Sequence, residues 1–319
     1  MKNRIAVYLL IITMVSLQIA SNLLAAEAPK PRSRSEVEAV LAKAPKPPAA
    51  RKLRELNIVL VAFKKDHGDN EHDYPLWQKR WAVLLGGKDA GRENQVNLYG
   101  PAPKGKQKRG LAGAPKVNVA TAYGWPSKEQ FKKADLVAAF CYVQYDKEKL
   151  KDLEKFLSRG GGFVILHPAV IIPKGVNIVD EAANLMGLAW EYDYTRWRHG
   201  QMALKIAAQD HPICLGLPRT IDLLDEAYWP LKGDRSKITI LATSDETISE
   251  DSDEIKPEPM FYTYEYGKGR VFSCILGHYT WTFDDPYFRI LMLRGMAWAA
   301  NESPYRFDRL VMRGIELGD

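Results

Sequence analysis

With 319 residues, 46% hydrophobic and 10% aromatic, the chain can bury a substantial core as one large domain or two. The formal charge of +6 is concentrated at the start: nine Lys/Arg against three Glu precede residue 53, and the remainder is neutral. A nucleic-acid binder carries a basic face on its folded domain, so no nucleic-acid partner is expected.

Residues 1–26 open with Lys2 and Arg4, continue with an apolar run from Ile5 to Ala20, and reach small residues near Ala25. This pattern reads as a secretory signal, and the run is shorter than the ~20 residues of a spanning helix. A periplasmic or secreted protein without stable membrane insertion after signal removal is expected. Cys141, Cys214 and Cys274 are an odd, widely spaced set, which argues against a disulfide framework and for buried, inert thiols.

Residues 27–52 are rich in Pro, Ala and Lys and read as a linker with no core of its own. The main domain is expected over 53–310, with a tail at 311–319. Its first buried strand is Leu56 to Phe63, followed by a polar loop with His67 and His72 and by a helix presenting Trp77, Trp81, Leu84 and Leu85 on one face. Residues 86–115 lack lasting periodicity and read as an insertion or loop. Lys116–Ala122 and Ala134–Val143 read as strands. The organising stretch follows: a helical pattern with Leu150, Leu153, Phe156 and Leu157, three glycines at 160–162, the apolar run Phe163 to Leu166, then His167 and Pro168. That order predicts a helix, its stop, a strand buried on both faces and a polar group at the strand's carboxyl end. Further on, Asn177–Tyr192 reads as a helix and Gln201–Ala207 as a strand. Asp210–Trp229 reads as a loop with a short extended piece, and Ile238–Thr243 as a strand. A hairpin turns at Gly267-Lys268-Gly269, and the closing helix is capped by Asp285 and started by Pro286. Strands alternating with helices predict one α/β domain with a mostly parallel sheet and helices on both faces.

In such a sheet ligands gather beyond the carboxyl ends of the strands. The loops carrying His67 and His72, His167, and His278 open on one edge if the last strand runs parallel to its neighbours. Imidazoles converging there suit a divalent metal such as zinc, or proton transfer near neutral pH. His67, His72, His167 and His278 are therefore the candidate ligands. Asp225 and Glu226 follow an apolar stretch, and alternation along a strand turns one of them inward; a half-buried carboxylate beside Tyr228 and Trp229 suits acid or base work. No glycine-rich loop lies between a strand and a helix as phosphate binding requires, so no nucleotide cofactor is expected.

RGGGFVILHPA (159–169), HG…EHDY, DHPICLGLP, DEAYW and YGKGRVFSCILGH…FDDPYFRILMLRGMAWA together resemble the trehalose-utilisation, or ThuA-like, domain of the class I glutamine amidotransferase-like superfamily, over about Leu56 to Ala300. The resemblance implies a flavodoxin-like sheet and an activity on carbohydrate. The superfamily's amidotransferases place a cysteine in a G-x-C-x-G elbow; this chain has His167-Pro168 there, so covalent glutamine hydrolysis is not expected. ThuA-like proteins commonly carry His-Ser at that point, and a tryptophan where this chain has Phe261 or Tyr262.

Two readings stand. The first is an exported enzyme processing a disaccharide or oxidised sugar, with His167, Glu226 and His278 in catalysis and the aromatic side chains Tyr74, Tyr142, Trp229, Tyr279 and Trp281 against a small-molecule sugar substrate. The second is a non-catalytic sugar-binding or adaptor module that keeps the pocket.

Overall fold

A computed structural model describes residues 27–86, 95–101, 113–249 and 252–318. The expected leader at 1–26 and most of the expected insertion, 87–94 and 102–112, lie outside the described residues. After a first helix, α1 (Arg34–Ala42), strands and helices alternate: β1 (Leu56–Ala62), α2 (Tyr74–Gly86), β2 (Val117–Tyr123), α3 (Lys128–Lys133), β3 (Leu136–Phe140), α4 (Lys147–Ser158) and β4 (Gly162–Leu166). Helix α5 (Val179–Met186) leads through β5 (Leu188–Ala189) to β6 (Arg196–Ile206) and β7 (Thr220–Trp229). Then come β8 (Lys232–Gly233), β9 (Thr239–Thr247), the hairpin β10 (Ile255–Tyr266) and β11 (Gly269–Cys274), and α6 (Pro286–Ala299).

Among the described residues, nine strands form one sheet in the order β2-β1-β3-β4-β11-β10-β9-β6-β7. The half from β2 to β11 is parallel. Strands β10, β9, β6 and β7 extend it antiparallel. Because β11 runs parallel to β4, the segments that follow β1, β4 and β11 leave the sheet on the same edge, which is the condition the histidine argument required.

Local chemistry explains the organising stretch. Asp146 caps α4 by accepting from the Lys149 amide at 2.8 Å, and Leu150, Leu153, Phe156 and Leu157 form its buried face. Two of the three glycines divide the work: Gly160 takes the positive φ of 101° that ends the helix, whereas Gly162 lets α6 approach, since a Cβ there would lie 2.3 Å from the Ala299 carbonyl oxygen. Val164 and Ile165 are fully buried, as a strand covered on both faces should be. At the far end Asp285 caps α6 by accepting from the amides of Tyr287 and Phe288 at 2.8 and 3.0 Å.

Three expectations are corrected. The stretch 210–229 contains a ten-residue strand, β7, paired along its whole length with β6. Its buried carboxylates, Asp225 and Glu226, interrupt the apolar alternation by which a strand is recognised. Strand β6 likewise begins five residues before Gln201, in a polar, partly exposed stretch.

The supposed linker at 27–52 is also docked rather than free. Val37 and Val40 of α1 join the core cluster, and Arg32 pairs with Asp285 at 2.6 Å while its guanidinium lies 4.4 Å from the Tyr287 ring centroid. The tail meets it there: the Arg34 amide donates to the Gly318 carbonyl at 3.1 Å and the Gly318 amide to the Arg32 carbonyl at 2.8 Å. Among the described residues no helix is long and apolar enough to cross a membrane.

Docking of this strap makes a checkable prediction. Val37→Ala, which empties a fully buried position, should lower unfolding free energy by about 1–3 kcal/mol in urea titration. An unchanged midpoint would restore the free-linker reading.

Candidate metal centre

Three loops and one strand deliver the site. His72 lies in the loop after β1, His167 is the first residue beyond β4, His278 follows β11, and Glu226 sits in β7. The loops are tied to each other by backbone: the His72 amide donates to the His278 carbonyl at 2.9 Å, and the Thr280 amide to the Asn70 carbonyl at 2.8 Å. Asp225 fixes β7 against this junction, accepting from the amides of Gly277 and His278 at 3.1 and 2.9 Å. Both carboxylates of the 225–226 pair are thus buried, correcting the expectation that only one turns inward; Asp225 serves the backbone and Glu226 the side-chain cluster. His72 and His167 adopt left-handed φ values of 42° and 48°, and Gly277 one of 125°. Non-glycine residues held in that region concentrate at functional sites, where the surrounding structure over-determines them.

The four side chains converge. His167 Nε2 lies 2.9 Å from His72 Nε2, His278 Nδ1 lies 3.0 Å from the same atom, and Glu226 Oε2 is 3.0 Å from both His167 Nε2 and His278 Nδ1. All four residues are buried, and one ligand atom from each falls within 4.8 Å of the others.

Hydrogen bonds on the outer side of the rings assign the tautomers. His167 Nδ1 donates to the Ile275 carbonyl at 2.7 Å, and His72 Nδ1 donates to Asp66 Oδ1 at 3.0 Å. In their neutral forms both rings therefore turn bare Nε2 lone pairs toward each other, an arrangement that repels unless a cation lies between them. A backbone carbonyl or carboxylate behind each ligating imidazole is how metal sites fix ring orientation. His278 Nε2 is buried without a hydrogen-bond partner among the described residues, its nearest carboxylate oxygen being Glu71 Oε1 at 3.7 Å. Ligand bonds of ~2.0–2.1 Å to a tetrahedral ion place donor atoms about 3.3 Å apart. The observed 2.9–3.0 Å separations need only a slight expansion.

The electrostatics agree. Burial pushes His72 down to about 3, so it stays neutral and available as a ligand. Burial alone would raise Glu226, but the imidazoles of His167, His199 and His278 packed against it outweigh burial and hold the carboxyl ionised, well below the usual range. Asp66 follows the same pattern: burial raises it, and hydrogen bonds from His72 and His67 bring it down to about 2.

A second layer surrounds these four, and sequence reasoning missed most of it. His199 Nε2 is 3.0 Å from Glu226 Oε1 and half exposed, with a pKa raised chiefly by that bond. The Tyr228 hydroxyl is 2.9 Å from His167 Nε2, and its ring stacks on that imidazole at 4.5 Å between centroids. Tyr74 donates to Asp66 at 3.0 Å. One signal was readable: residues two apart on a strand share a face, so choosing Glu226 selects Tyr228 rather than Trp229.

The remaining sequence candidates fall as follows. His67 is half exposed at the mouth, its Nδ1 2.8 Å from Asp66 Oδ1 and its ring 3.8 Å from that of His72; it flanks the four and does not join them. Tyr279 lies at the centre, its ring 4.6 Å from that of His278 and its hydroxyl 3.5 Å from His199 Nδ1; Trp281 stacks on it at 4.3 Å. Trp229 is corrected: it faces the other side of β7, its indole donating to the Thr247 carbonyl at 2.7 Å. The Tyr142 hydroxyl pairs instead with that of Tyr192 at 3.4 Å. His211 accepts from the Ile213 amide at 3.2 Å and serves its own turn.

The sequence profile for trehalose utilisation, ThuA, matches residues 104–299, more than half of the chain. The chain belongs to the ThuA family. Among solved structures it is similar to a ThuA-like protein from Parabacteroides merdae, with 18% identity, TM-score 0.53, and coverage of 78% of this chain and 92% of that one. It is also similar to a ThuA-like protein from Bacteroides uniformis, with 14% identity, TM-score 0.56, and coverage of 82% and 99%. These likenesses establish the fold: a ThuA-like α/β arrangement, consistent with the flavodoxin-like expectation. Comparison with the curated proteins returns no match.

In this ThuA chain the three cysteines are buried and unpaired, and burial pushes the thiols of Cys141 and Cys214 up to about 12. Thiols so placed are protonated and poor nucleophiles.

Acid sensitivity follows from His72. Its folded pKa lies below the ordinary value, so the unfolded chain binds the extra proton and stability is lost as pH falls from about 6.5 toward 3. In metal-free protein, urea unfolding between pH 6 and 5 should show a slope approaching ~1.4 kcal/mol per pH unit that His72→Gln reduces. A slope identical in the variant would mean that another group carries it.

Proposed function

We propose that this protein is an exported carbohydrate-processing enzyme whose chemistry is centred on a divalent metal ion held by His72, His167, Glu226 and His278, without a cysteine nucleophile. The observation that carries the metal is the apposition of the His72 and His167 Nε2 atoms at 2.9 Å with both Nδ1 atoms committed elsewhere. The family's description as trehalose utilisation supports a sugar as substrate, and the leader pattern at 1–26 supports export.

When bound, such an ion supplies Lewis-acid polarisation of a substrate oxygen. The chain's own residues do the rest. Asp66 and the Ile275 carbonyl hold two imidazoles in their ligating tautomers, and Asp225 fixes the 277–278 turn. His199, half exposed and bonded to Glu226, holds a proton at Nε2 and exchanges it with substrate or solvent at the mouth. Tyr279 and Trp281 form an aromatic wall beside it for a sugar's apolar face.

The burial of all four candidate ligands, none more than 6% exposed, favours a second reading: a sugar-binding module with a closed ion site. Tetrahedral zinc bound by all four would leave no open position, whereas an ion taking five or six ligands would.

Metal analysis and turnover assays on a panel of disaccharides and oxidised sugars distinguish the two. The enzyme reading predicts turnover that chelation abolishes and that Glu226→Gln lowers by at least ~100-fold, while Asp66→Asn weakens metal affinity ~10–100-fold. Cysteine substitutions should leave turnover intact. Tightly held zinc with saccharide binding and no turnover would establish the module instead.

A further inference from the structure

The three imidazoles of the centre are not braced alike. His72 Nδ1 has Asp66 behind it at 3.0 Å, and His167 Nδ1 has the Ile275 carbonyl at 2.7 Å. His278 meets the others through Nδ1, 3.0 Å from both His72 Nε2 and Glu226 Oε2, so its outward atom is Nε2. That nitrogen has no hydrogen-bond partner among the described residues and belongs to a residue only 1% exposed. Buried polar atoms are normally satisfied. Sealed from solvent, this one has to find its partner within the chain, and Glu71 Oε1 stands 3.7 Å away, just beyond hydrogen-bond range.

Glu71 is placed to close that gap. An isolated bridge pins its backbone opposite Tyr279, between the bond from the His72 amide to the His278 carbonyl and that from the Thr280 amide to the Asn70 carbonyl. Its side chain is 31% exposed, and among the described residues no hydrogen bond holds the carboxylate elsewhere, so it is free to turn. The position of one hydrogen explains why the gap stands open. In the metal-free chain a neutral His278 keeps its hydrogen on Nδ1, donating to Glu226 or His72, and the bare Nε2 faces a carboxylate oxygen; two acceptors do not bond. With the Nδ1 lone pair committed to a metal ion, the hydrogen belongs on Nε2, where Glu71 can accept it.

We propose that Glu71 is a positioning residue that accepts from His278 Nε2–H in the metal-loaded protein, the third outer brace of the centre beside Asp66 and the Ile275 carbonyl. The inference rests on the metal reading above. The ring carries one hydrogen throughout: the one at Nδ1 is released as its lone pair is taken up, and one is gained at Nε2 by way of the Glu71 carboxylate, which touches solvent. The carboxylate moves inward by about 1 Å to reach hydrogen-bond distance. Metal ligation and the loop that carries His72 are thereby tied together a second time, through a side chain at the mouth.

The test is zinc titration of chelator-treated full-length protein against a competing chelator dye. Glu71→Ala should weaken zinc affinity ~10–100-fold while leaving the urea midpoint of the metal-free protein unchanged, because the carboxylate has no hydrogen bond to lose there. Glu71→Gln, which keeps an accepting oxygen at the same reach, should fall between Glu71→Ala and wild type. In NMR of protein labelled with nitrogen-15 histidine, zinc should move the His278 hydrogen from Nδ1 to Nε2, with slow exchange against water in the wild type and fast exchange in Glu71→Ala. Wild-type zinc affinity in Glu71→Ala, equal losses in the Ala and Gln variants, or a loss matched by an equal fall in metal-free stability would overturn the brace. Tight zinc binding alongside any of those results would leave the metal centre standing. A wild-type protein that takes up no zinc would remove the centre and the brace together.

Discussion

Two bare imidazole nitrogens held face to face in a dry interior are the constraint on which the site depends. His72 and His167 cannot both relax by turning their rings, because Asp66 and the Ile275 carbonyl occupy the opposite nitrogens. Both are buried, and burial disfavours the charged form of His72. The negative charge of Glu226 completes a set of donors with the softness and spacing of a transition-metal site.

The sheet makes this meeting possible. Strand order β2-β1-β3-β4-β11 places β1, β4 and β11 within one parallel block, so their carboxyl-end loops share an edge. This is the edge where open α/β sheets bind ligands. The antiparallel extension adds what the parallel half lacks, an acid: β7 stands last in the sheet, yet its Asp225 bonds the amides that follow β11 and so carries Glu226 to the histidines. Left-handed backbone at His72, His167 and Gly277 turns each segment sharply enough to aim its side chain inward. Losing Asp225 would therefore release both the acid and one imidazole at once, though neither of its oxygens belongs to the ligand set.

Much of this was legible in the sequence, and the failures share a cause. The helix, glycine stop, apolar run and histidine at 146–167 spell their structure locally, through propensity, φ requirements and burial pattern. Three loop histidines and Glu226 could be placed on one rim from strand direction alone. His199, Asp66 and Tyr228 were missed because their roles arise from pairings across the chain: His199 meets Glu226 only through the β6–β7 ladder, whose polar first half does not look like a strand. Trp229 was preferred to Tyr228 because the strand's extent was unknown, and without it the parity of the positions could not be used. The strap at 27–52 looked unstructured because Val37 and Val40 have too little apolar surface to form a core alone and find one only by docking on the domain. Buried polar groups in β7 hid a strand by breaking the alternation that would have revealed it.

Anomalous diffraction from crystals of the protein, with data on either side of metal absorption edges, tests the central claim most directly. The account predicts one strong peak per chain, about 2 Å from His72 Nε2, His167 Nε2, His278 Nδ1 and a Glu226 oxygen. A well-ordered centre with no such peak after metal supplementation, and a proton-bearing Nε2 hydrogen-bonding the two histidines at neutral pH in neutron data, would contradict it.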